Sequence, residues 1–330
     1  LPEEISNLSP LWKNKKAVNQ EGVPFILDYR EQRVYPHIGL FGTSGSGKSF
    51  GLRVMCEELM AKRIPGIAFH PHFELNYSKP MEGLSPEKVM DYSDRHEAFY
   101  IGKDIGITFT ELNVDELGHL LLYVGSLSEP MRGALDALYE KGDSLAHLKQ
   151  KISDLKEAFE EMEKPAKDRE DLDARIVLLY DKNKKKVSGA QTLQALSWRI
   201  DALENTDIFN GDVSKAEQAI KKGKLAIIRG DLRKLQMISS YVLNKFYKKR
   251  RNYQDAREKG LELTEFFPMF FVIVDEAHNF APKHDANPTK TILKTIAQEA
   301  RKYGVFEIFC TQKPNALDDT ILAQLNTKII

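Results

Sequence analysis

A chain that carries Gly42, Thr43, Ser44, Gly45, Ser46, Gly47, Lys48 and Ser49 in succession has few folds open to it. Two glycines at fixed spacing followed by Lys and Ser match the complete phosphate-loop pattern. The glycines let successive backbone N–H groups turn inward around the α- and β-phosphates of a nucleotide. Lys48 can then reach the β- and γ-phosphates, and the Ser49 hydroxyl can ligate Mg²⁺. Such a loop needs a strand before it and a helix after it, and the flanking residues supply both. Residues 38–41, Ile-Gly-Leu-Phe, read as a short buried strand. Residues 50–61, with Leu52, Met55, Cys56 and Leu59 at helical spacing, read as the helix whose N-terminus receives the phosphates. A flexible Gly/Ser linker is the alternative, and the strand-loop-helix setting disfavours it. ATP with Mg²⁺ is the ligand expected here.

A second anchor lies far downstream. Residues 270–274, Phe-Phe-Val-Ile-Val, form the continuous apolar run required of a strand buried on both faces of a parallel sheet, and they end in Asp275 and Glu276. Adjacent acids at a strand end are common helix caps when nothing else accompanies them. Beside a phosphate loop they read as a Walker B pair: Asp275 holds the Mg²⁺ shell, and Glu276 orients and polarises the attacking water, so hydrolysis is expected. A third strand, residues 305–310, leads to Thr311 and Gln312. The carboxyl ends of parallel strands are where open α/β sheets bind ligands, which makes Gln312 a candidate contact to the γ-phosphate or the water; a plain turn before Pro314 is the alternative. Between these strands the spacing predicts a helix over residues 291–303, with Ile292, Leu293, Ile296, Ala297 and Ala300 as its apolar stripe. Arg301 and Lys302 in its last turn either offset the helix dipole before a Gly304 cap, or Arg301 serves a neighbouring subunit's nucleotide.

The remaining sequence bounds the organisation. Lys plus Arg and Asp plus Glu both number 48, so any electrostatic binding surface must be local. Cys56 and Cys310 read as small buried apolar residues in a reducing, cytoplasmic setting and lack metal-ligand spacing. No apolar run approaches a membrane span, and no signal-like segment is present. The start at Leu1 and the strand-like Lys328-Ile-Ile330 suggest a fragment cut at both ends. Asp275 lies 227 positions after Lys48, more than a minimal nucleotide-binding fold needs. Leu145, Leu148, Ile152, Leu155, Phe159 and Met162 repeat by threes and fours up to Pro165; Leu172, Ile176 and Leu179 mark a second helix; Leu193, Leu196, Ile200 and Leu203 mark a third. The expectation is a helical insertion packed on the core. A strand at residues 224–228 and a helix through Met237, Tyr241, Val242 and Phe246 follow, ending in Lys245, Lys248, Lys249, Arg250 and Arg251. That basic run is either a DNA-backbone contact or a solvated helix C-terminus. Arg229 to Lys234, after the strand, is a candidate DNA-gripping loop. His70 and His72 read as satisfied loop histidines, short of a metal's ligand count.

Taken together, Gly42 to Ser49, the Asp275-Glu276-Ala-His278 box, Glu299-Ala-Arg301-Lys-Tyr-Gly304 and Thr311-Gln312-Lys-Pro314 with the following Leu317 to Thr327 resemble the HerA branch of the HerA/FtsK superfamily of DNA-pumping ATPases. The 25 residues from Glu276 to Arg301 agree with the Walker B to arginine-finger spacing of that branch, and His37 before the loop strand also fits its pattern, whereas His70 stands where an acid is usual. The resemblance implies an α/β fold: a RecA-like P-loop NTPase core with a mainly parallel sheet, formed by residues 34–128 and 205–330, interrupted by a helical insertion at 129–204. Residues 1–33 would be the tail of a truncated N-terminal module, a small β-barrel in that family, with an outgoing strand at residues 23–34. It further implies a homo-hexamer hydrolysing ATP between subunits, translocation of double-stranded DNA, and a NurA-like nuclease or other effector as partner. Arg301 would be the trans-acting arginine. Two other classes stay open: a conjugation- or secretion-type P-loop ATPase, and an ATP-binding oligomeric scaffold with little turnover.

Overall fold

The computed structural model describes residues 12–13, 16–17, 36–71, 75–77, 90–165, 173–262, 265–285 and 287–330. Strands β1 (Trp12–Lys13) and β2 (Lys16–Ala17) pair antiparallel. The seven others form one sheet: β3 (Ile38–Phe41), β4 (Gly66–Phe69), β5 (His96–Tyr100), β6 (Leu225–Arg229), β7 (Phe270–Val274), β8 (Val305–Thr311) and β9 (Thr327–Ile329). Their spatial order is β5-β6-β4-β7-β8-β3-β9, and every neighbouring pair is parallel. All residues of β3, β4, β7 and β8 are buried, as strands covered on both faces must be.

Side chains alternate between two cores along each strand. On one face Ile38, Leu40, Ala68, Ile227, Ile273, Ile308 and Cys310 pack with Leu52, Cys56, Leu59 and Met60 of α1 (Lys48–Ala61). On the other, Phe41, Ile67, Phe69, Val272, Val274 and Phe309 join a larger core with the remaining helices. Those are α2 (Val114–Leu122), α3 (Glu129–Leu138), α4 (Leu145–Glu163), α5 (Ala174–Asn183), α6 (Ala190–Glu204), α7 (Ser214–Lys221), α8 (Leu232–Lys259), α9 (Pro288–Glu299) and α10 (Asp319–Gln324). The heptad-like seam is the buried edge of α4: Leu148, Ile152, Leu155 and Phe159 sit in the same core as Leu193, Leu196, Ile200 and Leu203 of α6. Leu172, His72 and residues 23–34 lie outside the described residues.

Two expected boundaries move. The helix expected from residue 291 begins at Pro288, because the Asn287 side chain accepts from the Thr289 N–H and Pro288 occupies the first turn, where a missing N–H costs nothing. It also stops being α-helical at Glu299; Ala300–Tyr303 is a 3₁₀ turn closed by Gly304 at φ 73°. The basic run does not end its helix. Helix α8 continues to Lys259, so Lys245 to Arg251 lie in mid-helix rather than at a C-terminus, and of the five cations Lys248 and Arg251 are exposed. Lys245 pairs with Glu111, Lys249 with Glu217, and the buried Arg250 donates to the Tyr303 and Phe267 carbonyls and to Gln254.

Candidate active site

The order of strands determines which side chains meet. Strand β8 lies between the phosphate-loop strand β3 and the Asp275-bearing strand β7. Its last residue Thr311 pairs with Phe41, so Gln312 emerges beside the loop and beside the two acids at once. The result is a cavity of about 440 Å³ lined by Ser44, Gly45, Gly47, Lys48, Ser49, Phe50, Asp275, Glu276 and Gln312. A larger cavity of about 570 Å³ sits between α2 and α8, but its carboxylate Glu111 is already bonded to Tyr241 and Lys245.

Gly47 stands at the N-cap of α1 with φ 90° and gives the helix no side-chain cap. The left-handed conformation suits glycine, and the first N–H groups of α1 stay open for an anion that the helix dipole favours. Gly42 meets a different constraint: a Cβ there would fall 2.4 Å from Ser46 Oγ, so any larger residue would have to turn the Ser46 hydroxyl aside. The Ser46 N–H donates to the Thr43 carbonyl, and Lys48 Nζ lies on that same carbonyl at 2.7 Å. A backbone carbonyl is a weak partner for an ammonium, and a phosphate oxygen would displace it with a net gain of charge pairing. The loop residues therefore fit a nucleotide polyphosphate, and the oxygens of Ser49 and Asp275 suit the Mg²⁺ that accompanies it.

Asp275 is buried. Burial alone would raise its carboxyl, but His70 first, then Cys310 and the Glu276 N–H, outweigh it and hold the group below its ordinary value, as a carboxylate. His70 Nδ1 stands 3.0 Å from Asp275 Oδ2, and the Glu276 N–H donates to Oδ1 at 2.9 Å. His70, read from the sequence as a satisfied loop histidine, is 2% exposed and finds its partner in Asp275.

Glu276 adopts φ 49°, a left-handed conformation uncommon for a side chain of its size and a mark of local strain. That turn carries its carboxylate to Gln312, whose Nε2 donates to Oε1 at 2.9 Å. Its Oε2 has no hydrogen-bond partner and lies 3.4 Å from His278 Nδ1. His278 is lowered, chiefly by burial, which keeps the ring neutral; its Nδ1 is 2.9 Å from Thr311 Oγ1, itself an acceptor from the Lys313 N–H. Thr311 and His278 thus brace Glu276 from the side opposite Gln312.

Lys48, Ser49, Asp275, Glu276 and Gln312 therefore converge, and Arg301 does not. Arg301 is exposed in the 3₁₀ turn before β8, without a side-chain partner among the described residues. It enters the sheet at the end opposite the phosphate loop; seven residues of β8 at roughly 3.3 Å each leave it about 20 Å from its own Gln312. The candidate DNA-gripping segment is likewise tied down: Arg229 donates to the Leu75 carbonyl, Asp231 caps α8 and Arg233 donates to the Tyr123 carbonyl.

Comparison with known proteins decides the family. The family described as "Helicase HerA, central domain" matches residues 16–250, more than half of the chain. The chain belongs to this HerA central-domain family. A relative from Saccharolobus solfataricus, named DNA double-strand break repair helicase HerA, is 31% identical over 127 residues, covering 38% of this chain and 24% of the relative. The Sulfurisphaera tokodaii protein of the same name is 35% identical over 130 residues, covering 38% and 25%. The match thus spans about a quarter of the length of these curated relatives. Among solved structures, the plasmid coupling protein TrwB in complex with ADP and Mg²⁺ gives a TM-score of 0.52 at 15% identity, covering 98% of this chain and 74% of that one. VirB4 of Thermoanaerobacter pseudethanolicus gives 0.50 at 14%, covering 88% and 73%. At such identities the likeness is one of fold, the α/β RecA-like core of P-loop ATPases. Among the described residues, no helix is long and apolar enough to cross a membrane.

Proposed function

We propose that this chain is the motor core of an ATP-driven translocase of double-stranded DNA, working as a homo-hexamer with a nuclease or other effector partner. Residues 34–128 and 205–330 would form the core, residues 129–204 a helical insertion, and residues 1–33 part of a preceding module. The observation that carries the catalytic half is that Glu276, its Oε1 held by Gln312, lines the same cavity as Lys48, Ser49 and Asp275. An acceptor fixed in this way can take a proton from water as it attacks the γ-phosphate of ATP. Lys48 and the loop N–H groups bind and orient the phosphates, and Gln312 holds both the base and the site of attack. Mg²⁺, when bound by Ser49 and Asp275, supplies charge neutralisation at the phosphates.

The assembly half rests on Arg301. A guanidinium with no side-chain partner among the described residues, about 20 Å from its own Gln312, is free to stabilise transition-state charge at another subunit's nucleotide, an arrangement that a closed ring provides. A double-stranded DNA substrate and the effector partner follow the HerA relatives by family; the curated names speak of DNA double-strand break repair. The conjugation-type reading draws on TrwB and VirB4, whose likeness is of fold alone. The test is mass photometry of the protein with ATP and unrelated duplexes, paired with an ATPase assay. Six subunits on each duplex and DNA-stimulated turnover are expected. A monomer that hydrolyses ATP regardless of DNA would overturn the motor reading, and a strong preference for one duplex sequence would argue against translocation.

A further inference from the structure

His37 is the residue immediately before the phosphate-loop strand, and nothing in the catalytic reading employs it. It is fully buried and holds φ 67°, a left-handed conformation uncommon for any residue other than glycine. Its ring bridges two elements. The Glu307 N–H in β8 donates to Nδ1 at 3.1 Å, and Nε2 lies 3.1 Å from the carbonyl of Ala297 in α9. Because Nδ1 accepts, Nε2 carries the proton and donates to Ala297, so the ring is neutral. Burial agrees, lowering the histidine to about 4.

The position of Ala297 gives this bridge its meaning. In an uninterrupted α-helix the Ala297 carbonyl would receive the N–H of residue 301. Here the α-helix stops at Glu299, and Ala300–Tyr303 continues as a 3₁₀ turn that displays Arg301. Carbonyls at such a junction need outside donors, and His37 supplies one four residues ahead of Arg301. From the other side, His37 leads directly into Ile38–Phe41, a fully buried strand that ends at the phosphate loop. We propose that His37 is a positioning residue: it locks the turn bearing Arg301 to the phosphate-loop strand, so that one rigid link joins a subunit's own nucleotide to the arginine it extends toward the next subunit's.

This inference rests on the trans-acting reading of Arg301, and mixed rings separate the two. His37→Asn tolerates the left-handed backbone but cannot span from Glu307 to Ala297. Alone it should keep nucleotide affinity and lose about 10- to 100-fold in turnover, the cost of a misplaced catalytic group. His37→Gln, long enough to reach the carbonyl, should recover most of that loss. Mixing His37→Asn with Lys48→Ala subunits should restore part of the activity, since some interfaces then pair an intact phosphate loop with a correctly held arginine. Arg301→Ala mixed with Lys48→Ala is the control. If the control recovers and the His37→Asn mixture stays inactive, His37 serves its own phosphate loop and the inference is wrong. If the control also fails, the trans reading of Arg301 falls first. Should His37→Asn not fold, the same mixing is done with His37→Gly, which accepts the left-handed backbone and cannot reach the carbonyl: recovery of its lost turnover supports the link, and loss without recovery, or no loss at all, overturns it.

Discussion

The pair of His37 and Glu307 offers a prediction that needs no knowledge of the reaction. Glu307 is fully buried in β8, its carboxyl 3.4 Å from His37 Nδ1 and without a hydrogen bond of its own. Burial raises it well above the ordinary value of 4.5, so the folded chain holds it protonated. His37 moves the other way, from 6.5 to about 4, and is neutral when folded. Between pH 4.5 and 6.5 the unfolded chain favours a charged Glu307 and a charged His37, whereas the fold disfavours both charges. Glu307, raised in the fold, contributes stability that is present below pH 4.5 and lost as pH rises. His37, lowered in the fold, contributes stability that is present above pH 6.5 and lost as pH falls toward about 4. A fully titrating group contributes about 1.4 kcal/mol per pH unit, and in the wild type the two groups act in opposite directions. Substituting one partner exposes the other. Relative to wild type, His37→Asn should gain roughly 2 kcal/mol on going from pH 6.5 to 4.5, and Glu307→Gln should move in the opposite direction. Urea unfolding midpoints across this range, taken as differences from wild type so that other titrating groups drop out, read the effect directly. Profiles that run parallel for all three proteins would refute the reasoning, because they would mean that the pair exchanges no protons on unfolding.

Two further outcomes concern the site itself. Lys48→Ala should abolish ATP turnover, whereas Glu276→Gln should still bind nucleotide and hydrolyse it slowly; equal loss of binding in both would mean that Glu276 has been given the wrong role. His70→Leu should weaken the Mg²⁺-dependent part of nucleotide affinity about 10- to 100-fold while leaving affinity in EDTA unchanged, since it removes the group that orients Asp275; an unchanged ratio of the two affinities would sink that role.

Much of the sheet was legible because its central strands are buried on both faces. Ile38–Phe41 and Phe270–Val274 fall on the residues expected of them, each a short apolar run ended by a glycine or an acid. His96–Tyr100 was not legible: it is an edge strand, paired among the described residues with β6 alone and partly exposed, so its His-Glu-Ala-Phe-Tyr carries no continuous apolar run. The loop, the two acids and Gln312 could be read from residue type and local pattern. His70 and the His37–Glu307 pair could not, and the reason is the same for both. Their partners are set by strand register, which a single sequence does not display. Once Phe69 pairs with Val274, the next residues on the two strands are His70 and Asp275; once Ile38 pairs with Ile308, the preceding residues are His37 and Glu307. The basic run of α8 fails in the opposite direction. Of five cations in seven residues, folding sets Glu111 and Glu217 against Lys245 and Lys249 and buries Arg250 among carbonyls, which leaves Lys248 and Arg251 exposed. A local count of charge in this family's core therefore says little about where DNA would run, and a DNA-contacting residue is better sought among cations left unpaired after folding than among those clustered in sequence.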